Sequence, residues 1–400
     1  MPSISNQSRE LQASAIRKLS PYSDAAEASG VNVYHLNIGA PDIKSPASAF
    51  DYIRRSTADH LPYSHSAGTH KLRNAVVQKY YQRIGIDINI DEMMVTVAGS
   101  EALSFALQVC CDPGDEVIVI EPYYTNYYSF AFASGIAFKA VHTDIRDGFK
   151  VPGIEAFEAV CTPRTKALLI CTPSNPTGTL YSREDMLLLG EFCRKHDLFL
   201  ISDEVYREFC YTDEPHFSAM NIPGLEQNVI LVDSFSKRYN LCGARIGCMI
   251  SHNTEVIATA MKYAQARLCP PIFGQMAVIG SLDAPESYFA QTRNEYIARR
   301  DCLLELLNQM EGVYSPMPLG AFYTLAELPV DDAEKFAQWL LTDWRVDGET
   351  VMLTPAESFY LTPGCGRNQV RIAYVLEIPH IRKAMQILEA GLKAYPGRTI

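Results

Sequence analysis

The stretch that most constrains the fold is Val229 to Ile250, VILVDSFSKRYNLCGARIGCMI. It opens on four branched apolar residues, Val229 to Val232, a run that belongs in a strand buried on both faces. The run breaks into small polar residues, Asp233, Ser234 and Ser236, around a single lysine, Lys237. A second apolar run, Ile246 to Ile250, follows a glycine-flanked arginine, Arg245. This reads as strand, tight turn, strand, with Lys237 held away from bulk water. Desolvation and a neighbouring cation, Arg238 or Arg245, lower the pKa of such an amine and leave it nucleophilic. The hydroxyls and Arg245 suit an anion, phosphate best of all. A plain surface-loop lysine is the competing reading of so short a motif, and the rest of the chain decides between them.

The same alternation recurs upstream. MMVTVAGSEALSFALQVCCDPGDEVIVIEPYYTNYY, starting at Met93, reads as strand, Gly99–Ser100 turn, helix, Pro113–Gly114 turn and strand. Free backbone N–H groups at that helix start make a natural anion site, though many α/β proteins carry such a turn. Tyr123 and Tyr124 follow the second strand directly. TKALLICTPSNPTG gives a strand over Ala167–Cys171 that ends in Asn175, Pro176 and Gly178. A helix over Arg183–His196 leads into a strand over Leu198–Ile201, which ends in Asp203, Glu204 and Tyr206. Nearer the start, YHLNIGAPDIKSP runs a short strand into a turn around Gly39. That glycine either serves the turn or lets a ligand approach the backbone. A loop holding Tyr63 and Gly68 precedes an expected amphipathic helix over His70–Ile84, with Leu72, Val76 and Tyr80 on one side. Beyond Asn253 the pattern is helical to Met310, broken at Ala266–Pro271. Short strands then alternate with helices, and a closing helix covers Pro379–Ala394.

Buried strands separated by helices predict an α/β fold: a mostly parallel sheet flanked by helices, with a smaller α+β domain attached. The pattern changes near residues 285–310, so the expected large domain is 46–285, and 1–45 with 286–400 form the small one. Ligands of such sheets bind beyond the carboxyl ends of the strands. There this chain places Gly99–Ser100, Tyr124, Asn175, Asp203 with Tyr206, and Ser234 to Lys237. The set holds a nucleophilic amine, a buried carboxylate, an amide and a phenol, an aromatic face and a phosphate cradle. Hydride transfer does not need that inventory, and metal hydrolysis would want histidines, which these positions lack. A phosphorylated aromatic aldehyde, pyridoxal 5'-phosphate, uses every member.

A net charge of −11 argues against nucleic acid as a partner. Eleven cysteines occur without a CxxC pair, so no zinc site or disulfide framework is expected, and a reducing compartment is. There is no basic-then-apolar leader and no apolar run of membrane-spanning length, which sets the expectation of a cytoplasmic protein with no membrane partner.

SFSKRYNLCGARIG, TPSNPTG, SDEVY and LNIGAPD together resemble the motifs of fold-type I, pyridoxal-phosphate-dependent class I aminotransferases, the aspartate aminotransferase-like group. The resemblance spans about Tyr34 to Tyr374. It implies that Lys237 is the Schiff-base and proton-shuttle residue and that Asp203 keeps the pyridine nitrogen protonated. Asn175 and Tyr206 would hydrogen-bond the ring oxygen, and Tyr124 would stack on the ring. Ser100, the backbone at Gly99 and Glu101, Ser234, Ser236 and Arg245 would hold the phosphate. Tyr63 would reach that phosphate from a second subunit, which implies a homodimer with shared sites. Arg371, in QVRIAY, matches the arginine that grips the substrate α-carboxylate, and Gly39 would add a backbone contact to it.

Some aspartate enzymes of the group carry lysine where this chain has Glu101, a residue that would repel a side-chain carboxylate. Arg267, in ARLCPP, a segment that in the family lies near the neighbouring subunit's site, is the candidate replacement cation, with aspartate or glutamate as amino donor; an interface salt bridge is the competing role. Transamination of alanine, aromatic or other neutral amino acids, or β-elimination by a C–S lyase, would use the same cofactor site. A non-enzymatic regulator built on the domain is disfavoured by the intact lysine, aspartate and arginine set.

Overall fold

The computed structural model describes residues 2–57 and 59–400. Among the described residues twelve strands are numbered in chain order. The first is β1 (Asn32–His35), followed by β2 (Met93–Thr96), β3 (Glu116–Glu121) and β4 (Ala137–His142). Next come β5 (Thr165–Cys171), β6 (Phe199–Asp203), β7 (Val229–Ser234) and β8 (Gly247–Ile250). The last four are β9 (Tyr323–Glu327), β10 (Glu349–Met352), β11 (Thr354–Pro355) and β12 (Gln369–Ala373).

Seven strands form the central sheet in the order β2-β8-β7-β6-β5-β3-β4. Only β8 runs against its neighbours, so the sheet is mostly parallel as expected. Its strands are apolar on both faces because helices cover both. Along β3, Val117 and Val119 point into one apolar core, and Ile118 and Ile120 into the other. That is the period-two alternation of a strand, with both faces buried.

The crossover helices carry their own signals. Arg183–His196 begins with a reciprocal capping box between Ser182 and Asp185 and ends at Asp197 in the left-handed region. The expected single helix over His70–Ile84 is instead an α-helix at His70–Val76 continued by a π-turn at Val77–Tyr81. Leu72, Val76 and Tyr80 are all fully buried on it. The helical stretch after Asn253 resolves into Thr254–Arg267, Ile272–Ser281 and Glu286–Gln309. Two smaller sheets stand apart from the main one. β1 pairs with β10 in parallel, while β11, β12 and β9 make an antiparallel set. No helix among the described residues is long and apolar enough to cross a membrane.

Candidate active site

A cavity of about 680 Å³ opens at the carboxyl ends of β2, β3, β5, β6 and β7. The polar group that follows each of those strands meets there: Gly99 and Ser100, Tyr124, Asn175, Asp203 with Tyr206, and Ser234, Ser236 and Lys237. Gly39, Arg245 and Arg371 also line it, as do Arg17, Tyr127 and Tyr323.

Lys237 does not lie in a turn, as the sequence implied, but in a one-turn helix, Phe235–Arg238. Ser234 caps that helix, its hydroxyl accepting from the Ser236 N–H at 3.2 Å and donating to the Ser236 hydroxyl at 2.9 Å. Arg238 was one of the two cations expected beside the amine. It is fully buried and donates to both carboxylate oxygens of Asp233, at 2.9 and 2.7 Å, with the Tyr80 ring 3.8 Å beneath it. Burial pushes the Asp233 carboxyl up, but Arg238 and Arg207 outweigh it and hold the group below its ordinary value. This ion pair therefore braces the helix on either side of Lys237. The Lys237 Nζ donates to the Gly39 carbonyl at 2.7 Å, which aims the amine into the cavity.

Asp203 ends β6 with 4% of its surface exposed. Tyr127 donates to it at 2.6 Å and the Val205 N–H at 3.3 Å. Burial pushes its pKa up to about 7; those two bonds oppose the shift, and the nearby Asp233 and Glu204 add to it. Tyr124 is half-buried, edge-on to Tyr127, with its ring free to form a cavity wall.

Arg371 comes from β12, outside the main sheet, and is 1% exposed. It donates to the Asn175 side-chain oxygen at 3.0 Å and to the Asn37 carbonyl, and stacks on Tyr323. Its Nε has no partner. Tyr206 and Tyr323 share a hydrogen bond at 3.1 Å. A side chain at Gly39 would collide with Tyr323, its Cβ falling 1.6 Å from the Tyr323 Oη. Only glycine lets the backbone come this close.

The anion side is built from the helix Ala98–Cys110, whose first turn carries Gly99, Ser100 and Glu101. Arg245, in the left-handed region at φ 56°, donates to the Cys242 carbonyl at 3.1 Å and lines the cavity beside Ser234 and Ser236. Free N–H groups, hydroxyls and a guanidinium with no carboxylate partner among the described residues are donors that could hold a phosphate.

Three of the expected residues lie elsewhere. The Glu101 side chain turns back to accept from the Val97 N–H at 2.8 Å, and Glu101 does not line the cavity. Arg267 pairs with Glu101 at 3.2 Å and reaches the Ser66 carbonyl, so its guanidinium lies outside the cavity of its own chain. Tyr63 is 80% exposed and lines no part of that cavity. Sequence reasoning missed Tyr127, Tyr323, Asn37 and Arg17. Tyr127 lies one helical turn past Tyr124, the only local hint it offered.

Two buried charges lack counter-charges among the described residues: no cation pairs with Asp203 and no carboxylate with Arg371. A pyridinium nitrogen and an amino-acid carboxylate are the groups each would receive, so the donor set fits pyridoxal phosphate with an amino-acid substrate.

Comparison with known proteins agrees with this chemistry. A sequence profile described as aminotransferase class I and II matches residues 30–386. The aspartate/prephenate aminotransferase of Thermus thermophilus is 32% identical over 364 residues, covering 89% of this chain and 90% of that protein. Aromatic-amino-acid aminotransferase 2 of Thermococcus litoralis is 28% identical over 396 residues and covers 98% of each. The solved structure of aspartate aminotransferase from Thermus thermophilus with maleate matches with a TM-score of 0.89 at 30% identity, covering 98% of this chain and 100% of that one. With most of its length matched and its cavity built for that cofactor, the chain belongs to the class I and II aminotransferases and is a pyridoxal-phosphate-dependent enzyme that moves an amino group between an amino acid and a 2-oxo acid.

Proposed function

We propose that the amino donor is acidic, aspartate or glutamate, and that the enzyme works as a homodimer in the cytoplasm. The observation that carries the donor reading is the charge of the cavity. In a protein of net charge −11 its wall holds four basic side chains, Arg17, Lys237, Arg245 and Arg371, against one acid, Asp203. A phosphate and one α-carboxylate leave a cation over, and a second substrate carboxylate matches it. The relatives named for aspartate support the same reading.

Bound there, pyridoxal phosphate supplies an aldehyde for the amino group and an electron-withdrawing ring. In this reading the chain does the rest. Arg371 orients the substrate through its α-carboxylate, with Asn175 and Gly39 alongside. Lys237 Nζ, aimed into the cavity by the Gly39 carbonyl, would take the proton from the substrate Cα and hold it for return. Asp203 provides the negative charge that keeps the ring nitrogen protonated. Asn175 and Tyr206 would hydrogen-bond the ring oxygen, Tyr124 would cover a ring face and exclude water, and Gly99, Ser100, Ser234, Ser236 and Arg245 would hold the phosphate. Tyr63, exposed in one chain, would reach the phosphate of a second subunit.

Residues 46–285 are read as the cofactor-binding unit and 1–45 with 286–400 as a smaller one. In support, every strand of the seven-stranded sheet falls between Met93 and Ile250, while Arg371 and Tyr323 come from the small antiparallel sheet.

A second reading, neutral or aromatic donors, is favoured by the apolar part of the wall, Ile16, Ile38 and Leu103, and by the relative named for aromatic amino acids. The test is an absorbance screen of the holoenzyme with each amino acid in turn, with 2-oxoglutarate as acceptor and 2-oxo acid product measured. Fast conversion by aspartate or glutamate supports the proposal. Conversion by neutral donors alone overturns it in favour of the second reading, and pyruvate with ammonia from cystathionine would mark an eliminating lyase.

A further inference from the structure

We infer that Arg17 is the residue that reads the distal carboxylate of the substrate and so sets donor specificity. The inference rests on the acidic-donor reading and names the cation that reading requires. Three of the four basic groups of the cavity are already committed by their surroundings. Lys237 is the reacting amine, aimed by the Gly39 carbonyl. Arg245 stands with the serines and the helix start that form the phosphate cradle. Arg371 is buried among Asn175, Asn37 and Tyr323 beside the reacting amine, its Nε unpartnered among the described residues, and is assigned to the α-carboxylate. Arg267 pairs with Glu101 outside the cavity of its own chain, and the experiment includes it as the rival.

Arg17 is left. Its side chain lines the cavity, is exposed, and makes no hydrogen bond or ion pair with any described residue. A guanidinium without a partner at the wall of a substrate cavity is a carboxylate receptor awaiting its ligand.

The backbone beneath Arg17 is fixed, which separates this arginine from one on a loose tail. The Arg17 and Lys18 N–H groups both donate to the Ser14 carbonyl, at 3.0 and 2.9 Å, making one tight turn. Ala15 and Leu19 are each 3% exposed, Ala15 in a small apolar cluster with Phe149 and Phe359 and Leu19 in the main core. Between those two anchors Arg17 is exposed and lines the cavity. Lys18 adds an ion pair to Glu334.

Asn37 then ties the turn to the α-carboxylate site. Its side-chain amide donates to the Ile16 carbonyl at 3.0 Å, while its own carbonyl accepts from Arg371. One buried residue therefore ties the backbone beneath Arg17 to the Arg371 guanidinium, and two carboxylates on one substrate are what two cations on one linked framework can select.

The experiment uses holoenzyme of the wild type, Arg17→Met, Arg17→Lys and Arg267→Met. It compares kcat/KM for aspartate with asparagine and for glutamate with glutamine, pairs that differ in charge and hardly in shape. Calorimetry of succinate and butyrate, which do not react, gives the binding readout apart from turnover. Arg17→Met should lower the acid-to-amide ratio on the order of ten- to a hundred-fold. The advantage of succinate over butyrate should shrink by a similar factor, and Arg17→Lys should recover part of both. A wild type that prefers the acids, with an Arg17→Met enzyme that keeps both ratios, overturns the inference while leaving the acidic-donor reading intact. Loss of the ratios in Arg267→Met alone would assign the role to that residue instead. A wild type with no preference overturns both.

Discussion

At position 203 a carboxylic acid is enclosed with no cation of its own, and the consequence is a pH-dependent cost of folding without cofactor. Its pKa in the folded chain is pushed up to about 7 by burial, from an ordinary 3.8. Between those values the unfolded chain has released a proton that the folded chain retains, so apoprotein stability falls as pH rises through the window. Each tenfold displacement of the proton equilibrium is worth about 1.4 kcal/mol, which brings the full cost above neutral pH to roughly 4 kcal/mol. Asp203→Asn removes the titration. Urea unfolding of the two apoproteins should show the variant gaining on the wild type between pH 5 and pH 8, while its transaminase activity is lost. A difference that does not change with pH contradicts this assignment. Single residues were legible in the sequence only where strand order announced them. Asp203, Asn175 and Lys237 each follow an apolar run, and a parallel sheet gathers such positions at one edge. Their partners were not legible. Tyr127 meets Asp203 across 76 residues and Asn37 meets Arg371 across 334, and no local pattern encodes such pairings. Arg238 was misread for a related reason: its proximity to Lys237 in sequence was visible, but its buried carboxylate partner was not.

Among the elements, the junction of β2 with the helix Ala98–Cys110 carries the cradle, and it depends on a close approach by β8. A Cβ at Gly247 would fall 2.5 Å from the carbonyl carbon of Ala98 and 2.7 Å from the Gly99 nitrogen. Those are backbone atoms that cannot yield without moving the turn. Gly247→Ala should therefore cost about 1–3 kcal/mol in denaturant unfolding, as overpacking does, and weaken cofactor retention on dialysis at the same time. Lost stability with unchanged retention would separate the strand contact from the cradle. The sequence presented this glycine only as part of an apolar strand. The helix Arg183–His196, by contrast, was legible to its last residue because a capping box and a left-handed C-cap punctuate it. The π-turn at Val77–Tyr81 was not, since helical periodicity is the same on either side of one inserted residue.

For the whole molecule, the alternation of strand and helix made the α/β architecture legible, because a sheet apolar on both faces must be covered on both. The position of the small sheets relative to the cavity was not, since Arg371 and Tyr323 arrive there by tertiary packing alone. Assembly carries the remaining prediction. With Tyr63 80% exposed and absent from its own cavity, a shared site predicts complementation. In a mixed dimer of Lys237→Ala and Tyr63→Phe chains, one site holds both lesions and the other none. Refolding the two together should give activity above the sum of the separate proteins, and sedimentation should show a dimer. Additive activity contradicts a shared site.

The central claim is that the amine at position 237 is the point of covalent attachment. Borohydride reduction of the pyridoxal-phosphate-loaded enzyme, followed by proteolysis and mass analysis, tests it directly. The account predicts a cofactor-sized mass fixed on the peptide containing Lys237 and lost in Lys237→Ala; a protein that takes up no such mass, or carries it on another lysine, contradicts it.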